Sequence, residues 1–271
     1  QGQPISITTQ PQDQTVNPGA NVTLTVAIAA GSQGTVTYRW RKNGNTIAGA
    51  TTSTLNLGTI AEAGQGDYDC VVSNGSFTVT SEAATVSVND PVTNVSISRS
   101  PSASVVASGT KVTYTATAQG TGPFLYQWKK DGVAIFDATS ATYEIATPVV
   151  GDSGSYTVTI SNAATPAGVT STANSLTVAT PVQVTSVSRS PDTSEVPSGT
   201  PVTFSVIATG TGPLTYQWRK NGVDIPSATS ATYEIPSPVS GDSGDYTVLV
   251  KNIISTSGVP SGTVNLLVID P

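Results

Sequence analysis

Short stretches in which apolar and polar residues alternate recur along the whole chain of 271 residues. Near the middle, Val112, Tyr114 and Ala116 alternate with threonines, Tyr126 and Trp128 flank Gln127, Tyr143 and Ile145 flank Glu144, and Tyr156, Val158 and Ile160 alternate again. A period of two sends successive side chains to opposite faces, so each stretch reads as a β-strand with one buried face. No helical periodicity runs long enough to compete, and the chain is expected to be all-β. Asn43-Gly44, Asp131-Gly132 and Asn221-Gly222 each follow a tryptophan-bearing strand by two residues. Such pairs supply the positive φ angles of a type I′ turn, which predicts three tight hairpins.

The same landmarks return at a fixed interval. Pro11, Pro101 and Pro191 are spaced by 90 and 90, whereas Trp40, Trp128 and Trp218, like Tyr68, Tyr156 and Tyr246, are spaced by 88 and 90. Residues 92–180 and 182–270 align without a gap and share 48 of 89 positions. The first unit has diverged further, with two more residues before its Trp and two fewer after its Tyr. Three units of about 90 residues follow, at 1–90, 91–180 and 181–271. Proline at the start of each cannot donate to a central ladder and is placed on an edge strand at a kink.

With these residues in register, the chain resembles the immunoglobulin superfamily three times in succession. The resemblance rests on a strand-C tryptophan (Trp40, Trp128, Trp218) and on a tyrosine preceded by a glycine-containing turn, as in Gly66-Asp67-Tyr68 and Asp152-Ser153-Gly154-Ser155-Tyr156. It implies three tandem immunoglobulin-like β-sandwiches forming an elongated rod, with the tryptophans and tyrosines in the core. The family's paired cysteine positions fall on Val26 and Cys70, Ala116 and Val158, and Val206 and Val248. No pair carries both sulfurs, so the implied core lacks the bridge that contributes about 2–5 kcal/mol to a small secreted domain. Tandem domains of this kind without disulfides look like bacterial or phage surface modules.

Composition narrows the chemistry. Eleven basic against 17 acidic residues give a net charge of −6, which disfavours nucleic acid as a partner, and no apolar run is long enough to insert in a membrane. There is no histidine and a single cysteine, so the usual metal sites and histidine bases are missing, and no cofactor is expected. With no methionine either, the chain is expected to begin at a processed or excised end. Gly151-Asp152-Ser153-Gly154 and Gly241-Asp242-Ser243-Gly244 look like the nucleophile motif of trypsin-like proteases. A serine nucleophile needs a base, so these read instead as tight turns. Asp67 with Asp69, and Asp242 with Asp245, read as solvated turn acids rather than a glycosidase or calcium site. Tyr38, Tyr126 and Tyr216 are expected to border the core, and Cys70 to be a small buried hydrophobe. Asn21, Asn74 and Asn94 carry short glycosylation motifs. Lys42, Lys130 and Lys220 fall in hairpins, away from any buried isopeptide position.

The leading expectation is therefore a non-enzymatic extracellular module, a spacer or presenter at a cell or virion surface, meeting a protein or glycan there. Two alternatives stay open: a subunit that self-associates end to end in a filament or sheath, and accessory domains of a larger secreted enzyme. Ile253 and Ile254, on the loop after the third tyrosine strand, are expected to bury against Val149 and Val150 at the junction of the second and third units, because adjacent exposed isoleucines would be an apolar liability.

Overall fold

The structure, a computed structural model, describes residues 3–31 and 34–270. The described residues form strands and three one-turn 3-10 segments around three apolar cores, running from Ile5 to Val88, Val92 to Val178 and Val182 to Val268. In the middle unit one sheet joins Thr93–Ser100, Val112–Gln119 and Thr142–Ile145, all antiparallel. The facing sheet runs Val105–Ala107, Asn174–Ala179, Gly154–Asn162, Leu125–Lys130, Val133–Ala134. Its first pair is parallel and the rest antiparallel. Pro101 lies where the chain leaves Thr93–Ser100 for Val105–Ala107 and so crosses from one sheet to the other, a place where a missing N–H costs no ladder bond. Pro191 and Pro11 occupy the matching crossings.

The hairpins form at the expected residues. Asn43, Asp131 and Asn221 have φ near 50°, and the glycines that follow lie near 80°. Two-residue loops of this type let the tryptophan strands turn back as Asn45–Thr46, Val133–Ala134 and Val223–Asp224.

Each core is centred on its tryptophan, and Trp40, Trp128 and Trp218 are fully buried. A buried indole N–H needs an acceptor. It finds one 12 residues on: Nε1 donates to the carbonyl of Thr52, Ser140 or Ser230, each at 2.9 Å. Tyr68, Tyr156 and Tyr246 are also buried, and their hydroxyls donate to the carbonyls of Gly64, Asp152 and Asp242, four residues back. These bonds close the corner that leads into each tyrosine strand.

The paired positions of the missing bridges, Val26 and Cys70, Ala116 and Val158, Val206 and Val248, are all buried. Backbone N–H groups at Cys70, Val158 and Val248 donate to the hydroxyls of Ser81, Ser171 and Ser261, each just past the returning strand. Aromatic packing distinguishes the units. Tyr114 stacks on Tyr156 at 4.8 Å and Phe204 on Tyr246 at 4.2 Å, with Tyr143 and Tyr233 beside them. In the first unit Leu24, paired with Leu55, stands at the corresponding place, so two leucines replace these stacked rings beside Trp40 and Tyr68.

One group in the middle core is left over. The Tyr114 hydroxyl is buried with no hydrogen-bond partner, as is Nη1 of Arg99, whereas the third unit carries Phe204 at the same position. An unpartnered buried polar group costs about 1–3 kcal/mol. Tyr114→Phe is therefore expected to raise stability in urea denaturation by about 1 kcal/mol or more; a loss would show that the hydroxyl is satisfied.

Burial pushes the Tyr114 phenol up to about 12 and also raises Tyr156 and Tyr246, where neighbouring tyrosines and Asp152 or Asp242 add to the effect. The folded state holds these protons more tightly than the unfolded chain, whose tyrosines ionise near pH 10. The contribution is intact below that pH and lost as pH rises toward 12. Tyrosinate absorbance and unfolding by tryptophan fluorescence should therefore appear together in this window, and tyrosine ionisation completed at pH 10 in the folded chain would contradict it.

Candidate functional site

The hairpin and the turn before each tyrosine lock together. The side-chain carbonyl of Asn43 accepts from the backbone N–H of Asp67, the Asp131 carboxylate from Ser155, and the Asn221 carbonyl from Asp245. The preceding lysines, Lys42, Lys130 and Lys220, donate to the carbonyls of Ala63, Gly151 and Gly241. A Cβ at Gly154 would stand 2.7 Å from the Asp131 carboxylate and one at Gly244 would stand 2.7 Å from the Asn221 amide oxygen, so a side chain at either place would have to displace this contact.

The Asp-Ser-Gly motif is thereby accounted for. Asp152 and Asp242 accept from the N–H groups of Val149 and Val239, while Ser153 and Ser243 accept from Val178 and Val268 on the last strand. Both serine oxygens anchor backbone. The remaining acids are likewise engaged: Asp69 takes a two-point bond from Arg41 at 2.7 Å, Asp67 accepts from Thr85, and Asp245 accepts from Asn265. Among the described residues no group of three His, Cys, Asp or Glu side chains could hold a metal ion, and no helix is long and apolar enough to cross a membrane. Burial raises the Cys70 thiol above its ordinary value, which lowers its thiolate fraction. Tyr38, Tyr126 and Tyr216 are half-buried against the cores.

The junctions differ from the sequence expectation. Ile253, Val149 and Val150 are 56%, 59% and 48% exposed, and Ile254 is only half-buried, so these four residues do not form a buried contact. The loop does close on the linker, but through a polar side chain. Asn252 is buried and its Nδ2 donates to the carbonyls of Thr180 and Thr211, at 2.8 and 3.0 Å, while its Oδ1 accepts from the N–H groups of Ile254 and Ser255. With the linker backbone held this way, the isoleucines are free to point outward.

Asn162 does the same one junction earlier, donating to Asp90 and Thr121 at 2.7 and 2.9 Å and accepting from Thr165. The linker is paired further on both sides. Asp90 and Thr121 exchange two bonds, as do Thr180 and Thr211. The residue before each belongs to the other unit: Asn89 donates to the Val16 carbonyl, and the Ala179 carbonyl accepts from Ser108. Asn17 also bridges the first junction, its Nδ2 donating to Ala163 at 2.7 Å. Asn74 takes the equivalent place in the first unit, reaching the Gln3 carbonyl. The sequence marks Asn74 only by a glycosylation motif and gives no sign of this backbone-binding role, although the three asparagines recur at 88 and 90, the interval of the tryptophans. The two additional residues of the later units lie beyond the asparagine turn: in the middle unit they fall in a break of register within Thr165–Thr170, and in the third in a turn that the Gly258 N–H closes on the Ser255 carbonyl.

A cavity of about 480 Å³ opens on the outer face of the first unit, between Tyr38, Arg39 and Val71 of the sheet and the segment 46–51 after the hairpin. In the later units Gln127 and Gln217 replace Arg39 and donate across this place to the carbonyls of Ile135 and Ile225.

Comparison with known proteins agrees with this architecture. The model of the immunoglobulin domain matches residues 5–74 and 184–252. The chain belongs to the immunoglobulin-domain family. A structure of three titin domains, I67–I69, superposes with a TM-score of 0.68 at 20% identity over 98% of both chains. Extracellular domains 3–5 of Drosophila OTK align over 98% of this chain and 97% of theirs, at 18% identity and a TM-score of 0.48. A decoration protein of Escherichia phage T5 is 45% identical over 74 residues, which is 26% of this chain and 45% of that protein. The chain thus spans less than half of that relative's length.

The junction analysis makes a direct prediction. Asn252→Ala removes the partner of the Thr211 carbonyl, one of two donors to the Thr180 carbonyl and the acceptor of the Ile254 and Ser255 N–H groups, and should destabilise the third unit by about 1–3 kcal/mol. In small-angle scattering it should also broaden the distribution of interdomain distances. Ile253→Ala with Ile254→Ala should leave both readouts unchanged, and the opposite pattern would restore the apolar junction.

Proposed function

We propose that this chain is a non-catalytic structural module at the surface of a virion or cell, holding three immunoglobulin-like units in series as a spacer or presenter. The observation that carries this reading is the linker. At each junction two consecutive residues are hydrogen-bonded to different units, Asn89 and Asp90 in one case and Ala179 and Thr180 in the other, so no unbonded residue is left between them to act as a hinge. Resistance to bending is what a spacer needs and what an enzyme's accessory tether does not. The similarity to a phage decoration protein supports a place on a particle exterior. The assignment of Asp152, Ser153, Asp242 and Ser243 to backbone anchoring supports a role without catalysis.

Immunogold electron microscopy of intact particles and cells of the source, with antibody raised against the chain, tests the reading. Label on the outer surface of intact specimens is the expected result. Label only after lysis, or only on material released into the medium, would overturn it.

A further inference from the structure

Phe136 is 98% exposed, the most exposed large apolar side chain described. It follows the hairpin of the middle unit and is succeeded by Asp137, which is exposed, adopts φ 58°, and has no side-chain partner among the described residues. Residues Ile135 to Ile145 match Ile225 to Ile235 at every position except these two, which become Pro226 and Ser227. Between two otherwise near-duplicate turns, the middle unit alone presents an aromatic ring beside a carboxylate.

The first unit differs at the same turn in the opposite sense. Ala48 and Gly49 stand where Phe136 and Asp137 stand, and Arg39 replaces the glutamine that spans this place in the later units. The result is the cavity of about 480 Å³, within the range of about 300–1,000 Å³ that accommodates small ligands. It is lined by Tyr38, Ile47 and Val71 together with Thr46 and Ser73. The Arg39 guanidinium has no ion-pair or hydrogen-bond partner among the described residues. Arg41, one outward position along the same strand, is fully paired with Asp69.

We infer that the Phe136-Asp137 turn of one chain docks in the Arg39 cavity of a second copy of this chain. The ring enters the cavity against Tyr38, Ile47 and Val71, with Arg39 able to lie on its face, and Asp137 meets the guanidinium. Donor and acceptor lie on different units, so the contact is heterologous: each bound copy still offers one free turn and one free cavity, and growth is open-ended. The proposal is independent of the spacer reading, since a spacer carries the same function as a single chain.

Analytical ultracentrifugation of the full chain, from micromolar concentration to about 1 mM, a ceiling that detects millimolar association, tests it. The wild-type weight-average mass should rise continuously with concentration. Phe136→Ala, which keeps the cavity, and Arg39→Asp, which keeps the ring, should each remain at the single-chain mass. Mixed with each other they should pair and stop at twice that mass, because only one complementary contact is left. Arg39→Asp combined with Asp137→Arg should recover at least about tenfold of the affinity lost in Arg39→Asp, an outcome that a purely structural effect would not give. A wild-type chain that stays single throughout, association that persists unchanged in Phe136→Ala, or a cavity that takes an acidic saccharide while the chain stays single would each overturn the proposal.

Discussion

Everything in each unit is arranged around a tryptophan N–H that has to be satisfied where no water reaches it. Burying the indole supplies the largest apolar contact of the core, but leaving its nitrogen unpaired would cancel much of that gain. The carbonyl that answers it, at Thr52, Ser140 or Ser230, lies just ahead of a strand in the opposite sheet. One bond therefore fixes both the depth of the ring and the path of the chain between sheets. From that point the hairpin is constrained, and its Asn or Asp side chain and Lys can reach the turn before the tyrosine. In a core without a disulfide, this succession of side-chain-to-backbone bonds supplies cross-links that are individually weaker but more numerous.

Much of this was legible in the residues. Alternation located the strands, Asn-Gly and Asp-Gly located the hairpins, and the common spacing of Trp and Tyr gave the number of units and the sandwich class. Those signals are local or periodic, so they survive without coordinates. The empty bridge positions were legible too, because Val206 and Val248 occupy a pattern in which only the side chain differs.

The junctions were read wrongly for a physical reason. Ile253 and Ile254 suggested burial because apolar surface is costly when exposed, but that cost is modest for single side chains, and loop backbone groups left unpaired at the junction cost more. Asn252 meets the larger demand, and the isoleucines follow from where it holds the loop. Its recurrence with Asn74 and Asn162 was visible, but an asparagine in a turn has many ordinary explanations. Ser81, Ser171 and Ser261 were hidden for the same reason. The contrast between Arg39 and its glutamine counterparts depends on how far a side chain reaches across a neighbouring strand, which spacing alone does not reveal.

The parallel pairing beside each crossing proline has a mechanical consequence. In every unit the short strand near the start, Gln14–Val16, Val105–Ala107 or Val196–Pro197, lies alongside the final strand and runs in the same direction. Tension transmitted along the chain pulls the first of these backward and the last forward. The load therefore falls along the strands, and the bonds between them must yield together in shear instead of opening one by one. A series of such units transmits force from one end to the other with little extension until a whole ladder gives way.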